Sequence, residues 1–269
     1  MASHFSSIGL NVTSQQDFSH YFQLTYENGE LINTALGKYI KWSIGNGVEL
    51  WGQLDNNNSA IGLNPHFSGK STTKVRIEYK VKSNDDTVLD GAFYCWADAS
   101  EEGDDGAYPF VFDSPDMGMY ENIATPQIVT AQITGFAHEV TAYENEEAFY
   151  NSRESEPKFA SESFIPAGLF SPDGDDTTPP EAIAIFTGHV LETNRYTNPQ
   201  TNIDFVWARV RTLGGEYDVV IDPDILNAEV IVGGIVSGMF WLSGRIIGSF
   251  SKVEKTKEKF SLKKLFGRK

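Results

Sequence analysis

The spacing of apolar and polar residues changes along the chain and predicts its elements in turn. In residues 5–12 (FSSIGLNV) Ile8, Leu10 and Val12 fall two apart, which predicts a strand. Phe18, Tyr21, Phe22 and Tyr26 then recur at spacings of three and four, the buried stripe of a helix over about 15–28. Thr13 or Ser14 caps that helix, Asp17 sits in its first turn, and Asn28-Gly29 is expected to close it in the left-handed form. Asn46-Gly47 between apolar runs predicts a two-residue hairpin joining strands near 38–44 and 47–54. Residues 72–82 alternate cleanly as a half-solvated strand, and further strands follow at 91–97 and 108–113. The run 126–145 is long for one strand and is expected to bend at Gly135. Asn145 then caps a short helix over 145–152, with Glu146 and Glu147 at its positive end.

Residues 171–181 (SPDGDDTTPPE) break the pattern with prolines, a glycine and acids, and are expected to be a linker. Four β-rich runs follow: 182–196 with a bend at Gly188, 203–212, 216–221, and 234–247 entered through Gly233-Gly234. The expected organisation is therefore a β-rich α+β region over 1–170 and an acidic Pro/Gly linker over 171–181. A small antiparallel barrel over 182–250 and a basic tail over 251–269 complete it. Strand, helix and then several strands give the opening part a βαβββ order, and strand-then-helix at 5–28 is echoed at 136–152, which two related halves or no repeat at all would explain.

Composition narrows the class of protein. Forty per cent hydrophobic residues are enough for a packed core, and 18 Phe with 11 Tyr favour strands. No run reaches the length of a membrane span, and the N-terminus lacks the basic and apolar regions of a signal peptide. The single cysteine, Cys95, excludes an internal disulfide and a cysteine-cluster metal site, so a cytoplasmic location is expected. The net charge of −16 is uneven: the tail 252–269 carries +6, which leaves −22 on the rest. Such a body repels phosphate backbones, so nucleic acid is not the expected partner. The tail, with Lys263, Lys264 and Arg268, has the composition of a segment for an anionic membrane surface or an acidic partner, or of a solvated end.

No catalytic or cofactor constellation is complete. Cys95 lies in AFYCWAD, an apolar setting that raises a thiol's pKa, and there is no GxSxG elbow. The glycines of GGIVSG and GNGVELWG lack the lysine of a phosphate loop. The DGDD run at 173–176 lacks the alternating ligands of an EF-hand. Three residues that could meet at a metal are Glu49, His66 and His138, if two halves face each other. No cofactor is expected.

Two resemblances bear on these expectations. SSIGLNV, the aromatic helix and the hairpin GNGVELWGQ resemble the opening module of the vicinal-oxygen-chelate superfamily, and FAHEVTAYENEEAFYNS resembles a second module's strand-to-helix step. The resemblance implies a metal held by His, Gln or Glu. Glu49 matches the family's glutamate, whereas Ser7 stands at the first-strand ligand position with His4 three residues before it. Residues 182–247 resemble an OB-fold, which implies that Phe205, Trp207 and Trp241 are candidates for stacking on a ligand. The whole layout, with NPHFSG and FWLSGRI, also resembles a bacterial family that brings no activity with it. The leading expectation is a non-catalytic protein that binds a protein or small ligand. The alternatives are a metal-assisted enzyme of the vicinal-oxygen-chelate type and a single-stranded nucleic-acid binder.

Overall fold

A computed structural model describes residues 3–83, 86–99, 106–152, 160–170 and 178–248. The expected basic tail, DGDD at 173–176 and the acidic run 101–105 lie outside them. Residues 5–12 do not form the expected strand: Ser6–Ile8 is a turn of 3-10 helix stopped by Gly9 at φ +71°. Ile8 and Leu10 are both buried, and two apolar residues two apart satisfy this turn as well as a strand.

Helix α1 (Gln15–Asn28) begins with a reciprocal capping box, in which Asp17 N–H donates to Ser14 Oγ and Ser14 N–H to Asp17 Oδ2. It does not close in the left-handed form. Gly29 is extended, at φ −86°, because the chain runs directly into strand β1 (Glu30–Asn33). A glycine is still needed there, since a Cβ would lie 2.6 Å from Ile40 Cγ2. β1, β2 (Lys38–Gly45), β3 (Val48–Leu54) and β4 (Ala60–Phe67) form an antiparallel sheet in sequence order. The Asn46-Gly47 turn takes φ values of +50° and +83°, as a tight hairpin requires.

Every residue of β3 is buried. Val48, Leu50 and Leu54 pack with Tyr21 and Phe22 of α1, while Glu49, Trp51 and Gln53 alternate onto the opposite face. That second face carries polar side chains into the interior, and the candidate site adjoins it.

The larger sheet is mixed. Its strands are β5 (Thr73–Val81), β6 (Ala92–Ala97), β7 (Pro109–Asp113), β8 (Gln127–Tyr143), β9 (Ser163–Ile165), β10 (Ile183–Thr197), β11 (Asp204–Thr212), β12 (Gly215–Ile221) and β13 (Ile235–Ile247). A short helix α2 (Glu146–Asn151), capped by the Asn145 side chain, follows β8. The β8–β13 ladder is shared by two closed circuits of strands. One circuit runs β8–β13–β10–β11–β12 and returns to β8 through a parallel pairing of Asp218–Val220 with Thr134–Phe136. The other runs β8–β5–β6–β7 and returns to β13 through one parallel bridge, Asp113 with Ser243.

The runs on the two sides of the linker are thus woven into one sheet. β8, which precedes residues 171–181, pairs with both β12 and β13, which follow them. One apolar cluster continues through both circuits, with Phe93, Phe110 and Phe112 on one side and Phe186, Tyr217 and Phe240 on the other. Phe186 and Phe240 stack at 4.0 Å, and each such fully buried ring contributes roughly 1.5–3 kcal/mol.

The irregularities fall beside the expected glycines. β8 passes through Gly135 without a break, because Phe240 packs over it and needs the missing Cβ. The register slips at His138 instead, where Glu139 and Ala137 oppose consecutive residues of β13. Likewise β10 continues through Gly188 and slips between Val190 and Glu192. Among the described residues no helix is long and apolar enough to cross a membrane.

Candidate functional site

Where the two circuits meet, β7 ends on Asp113 and β13 presents Trp241 and Ser243. Two cavities open here, of about 180 Å³ and 350 Å³, and share Asp86, Asp113 and Trp241 as a common wall. The smaller continues toward Asn64 and Asp90, and the larger toward His4, His138, Glu181 and the Pro179-Pro180 segment. The strand pairing fixes the wall: Asp113 is bridged to Ser243, and Trp241 lies opposite Phe136 on β8.

Trp241 Nε1–H donates to Asp113 Oδ2. Oδ1 of that carboxyl has no hydrogen-bond partner among the described residues. Burial pushes the Asp113 carboxyl up to about 7; the charges of Asp86, Asp90 and Glu181 add to the rise, and the indole hydrogen bond opposes it. The group therefore changes charge near neutrality.

The slip in β8 turns His138 toward the N-terminal segment. His4 stacks on Trp241 at 4.0 Å and on His138 at 4.9 Å, and the two Nε2 atoms are 2.8 Å apart. Burial, helped by His138, lowers the His4 pKa to about 4, and burial also lowers His138. Both rings are thus neutral at neutral pH, so one Nε2 carries the proton and the other accepts it.

The carboxylates behind the wall are fixed by donors. Asp90 accepts from Gln53, from Asn64 Nδ2 at 2.7 Å and from the Thr87 amide. Asp116 accepts from Arg245 Nε at 2.8 Å, Ser114 Oγ at 2.9 Å and Tyr120 at 3.1 Å. These bonds anchor the 87–91 and 114–120 loops against β4 and β13.

The sequence-predicted residues separate into three places. Glu49 and His66 face each other across β3 and β4, yet each has its own partners. Glu49 pairs with Lys41 Nζ at 2.6 Å and accepts from Trp51 Nε1, while His66 Nδ1 meets Ser243 Oγ at 2.9 Å. His66 is fully buried, and desolvation with the Arg245 and Lys41 charges holds its pKa well below the ordinary value. His138 sits instead with His4, and among the described residues no group of three or more His, Cys, Asp or Glu is placed to hold a metal.

Phe205 and Trp207 belong to the core beneath the small sheet and leave no ring face for a ligand. Trp207 Nε1–H donates to Asp218, a buried carboxylate that also accepts from the Lys70 and Ser71 amides, Ser71 Oγ and Gln132. Of the three aromatic candidates, Trp241 lines both of these cavities. Cys95 is buried, and burial drives its thiol far above the usual range.

Asp113 and Asp86 were not singled out by sequence. The only local signal for Asp113 is a carboxylate that ends the apolar run YPFVF. Compared with protein-family models, curated proteins and solved structures, the chain matches none.

Proposed function

We propose that this chain is a binding protein that holds a small ligand in the cleft walled by Trp241 and Asp113. The observation that carries the reading is the Asp113 carboxyl itself. It is fixed by an indole N–H on one oxygen, without a partner among the described residues on the other, and shared by two cavities. The larger cavity, at about 350 Å³, has the size of a small-molecule site, and combines an aromatic ring and apolar walls with a few polar groups. Binding rather than catalysis is favoured because the neighbouring carboxylates Asp90 and Asp116 are engaged in fixed hydrogen bonds, and the two imidazoles engage each other.

The metal-assisted alternative loses support from the separate partners of Glu49, His66 and His138. Nucleic-acid binding by the 182–247 strands loses it from the burial of Phe205 and Trp207. The OB-like reading of those strands gains support from the pairing order. β10, β11 and β12 run in sequence, β13 joins β10, and β8 closes the circuit beside β12 as a fifth strand taken from earlier in the chain.

The test is saturation-transfer NMR with a panel of small polar and aromatic molecules on the protein and on Trp241→Phe and Asp113→Ala. Binders lost in both variants, at unchanged far-ultraviolet dichroism, are expected. Binders that both variants retain would place the ligand elsewhere.

A further inference from the structure

We propose that the ligand is a protonated amine on an apolar body, its ammonium seated on Asp113 and its body against the Pro179-Pro180 wall. This deepens the reading of the cleft as a small-ligand site and rests on it. Three observations converge.

The first is the sign of the lining. Asp86, Asp90, Asp113 and Glu181 line the two cavities, and among the described residues neither is lined by a Lys or Arg. The cations of the adjoining β-sheet face are committed to other carboxylates, Arg245 to Asp116 at 2.8 Å and Lys41 to Glu49 at 2.6 Å. A carboxylate or phosphate ligand would meet uncompensated like charge here, whereas an ammonium relieves it.

The second is the open oxygen. A half-buried carboxyl with one oxygen fixed by Trp241 and the other unpaired among the described residues is a preformed acceptor, with its orientation settled before a ligand arrives. Among the described residues no hydrogen bond joins the adjacent imidazoles of His4 and His138 to it; their Nε2 atoms, 2.8 Å apart, partner each other.

The third is the rest of the larger cavity. Val81, Pro179, Pro180 and Ile183 supply an apolar wall, which suits a hydrocarbon or aromatic body rather than a bare ion. A divalent metal would want three or more convergent ligands, and no such group is found among the described residues.

The proposal makes binding depend on pH with a definite sign. Among the described residues the titratable groups around Asp113 are the carboxylates Asp86, Asp90 and Glu181 and the imidazoles His4 and His138, both held neutral near neutrality. An ammonium binds the ionised carboxyl, so below about pH 7 binding must expel the Asp113 proton. Affinity therefore falls by about tenfold from about pH 8 to about pH 6.

Isothermal titration of the full chain with three matched probes tests this: phenethylamine, phenethyl alcohol and phenylacetate. Phenethylamine is expected to bind at least about tenfold more tightly than either isostere, with the pH dependence above. Asp113→Asn keeps the acceptor for Trp241 and is expected to remove both the preference and the pH dependence. Its thermal unfolding at about pH 5, where the native carboxyl is already protonated, reports whether the variant folds. Equal binding of amine and alcohol would overturn the amine inference while leaving the cleft as the binding site. Binding of none of the three would count against both. Phenethylamine binding unchanged in a folded Asp113→Asn protein would also overturn it.

Discussion

Asp113 sits where burial works against its charge, and folding must bear that cost. In the unfolded chain its carboxyl titrates near the ordinary value of 3.8, and in the folded protein it rises to about 7. Between those values the folded state binds more protons than the unfolded one, so stability falls as pH rises through this window and levels off above it. The whole difference is worth up to about 4 kcal/mol. Asp113→Asn is expected to match the parent near pH 4 and to exceed it by a few kcal/mol at pH 8, read from urea unfolding midpoints at both. Equal stability at pH 8 would show that Asp113 ionises without hindrance. Asp218 differs in its surroundings: it is a buried side chain whose oxygens accept from donors on two strands and a loop. Asp218→Ala leaves those donors unmet and is expected to cost about 3–5 kcal/mol in the same assay. Of these two residues the sequence marked neither for such a role. A carboxylate's environment depends on strands far away in the chain. Asp113 is 128 residues from its indole partner, and Asp218 is 147 from Ser71.

Elements whose signals are local were legible, and those set by distant pairing were not. Helix α1 follows from Ser14, Asp17 and a stripe of aromatics within one stretch, and Ser14→Ala is expected to cost about 1 kcal/mol in thermal or chemical unfolding. The hairpin at Asn46-Gly47 is equally local. Gly47→Ala meets both a φ of +83° and the Phe67 ring 2.6 Å from the new Cβ, so a loss of about 1–3 kcal/mol is expected in the same measurement. By contrast, the alternation in FSSIGLNV fits a 3-10 turn that buries Ile8 and Leu10 as well as a strand, and only the packing partners decide. The glycines at 135 and 188 marked close approaches of Phe240 and the Arg211 backbone, not bends. The breaks fell two or three residues later, where the partner strand's register set them. The site shared this division. Trp241 and His138 could be picked out by residue type, but their meeting with His4 and Asp113 required β7, β8, β13 and the N-terminal segment to converge.

At the scale of the molecule, the β8–β13 ladder decides what can fold alone. It runs from Thr130 opposite Ile247 to Tyr143 opposite Ile235, and both circuits of strands close on it. A fragment of residues 178–248 keeps β10 to β13 but loses β8, which leaves the edges of β12 and β13 unpaired. Those edges would expose Val219 and Val236, now fully buried, together with unsatisfied backbone groups. The fragment is therefore expected to lack a dispersed amide NMR spectrum and a cooperative melt. Joining residues 127–143 to its C-terminus through a flexible glycine-serine linker would restore the missing fifth strand in place, without β5 to β7. That fusion is expected to recover dispersion and a sigmoidal unfolding curve, because all five pairings of that circuit lie within residues 178–248 or on β8 itself. A fragment of 178–248 that folds without β8 would show instead that the strands after 171–181 close on their own and that the ladder joins two independent units. The cleft lies on the seam, with Asp113 on one circuit and Trp241 on the shared ladder. Even a folded fusion is thus expected to lose phenethylamine binding, since it retains the indole but not the carboxyl that orients the ammonium.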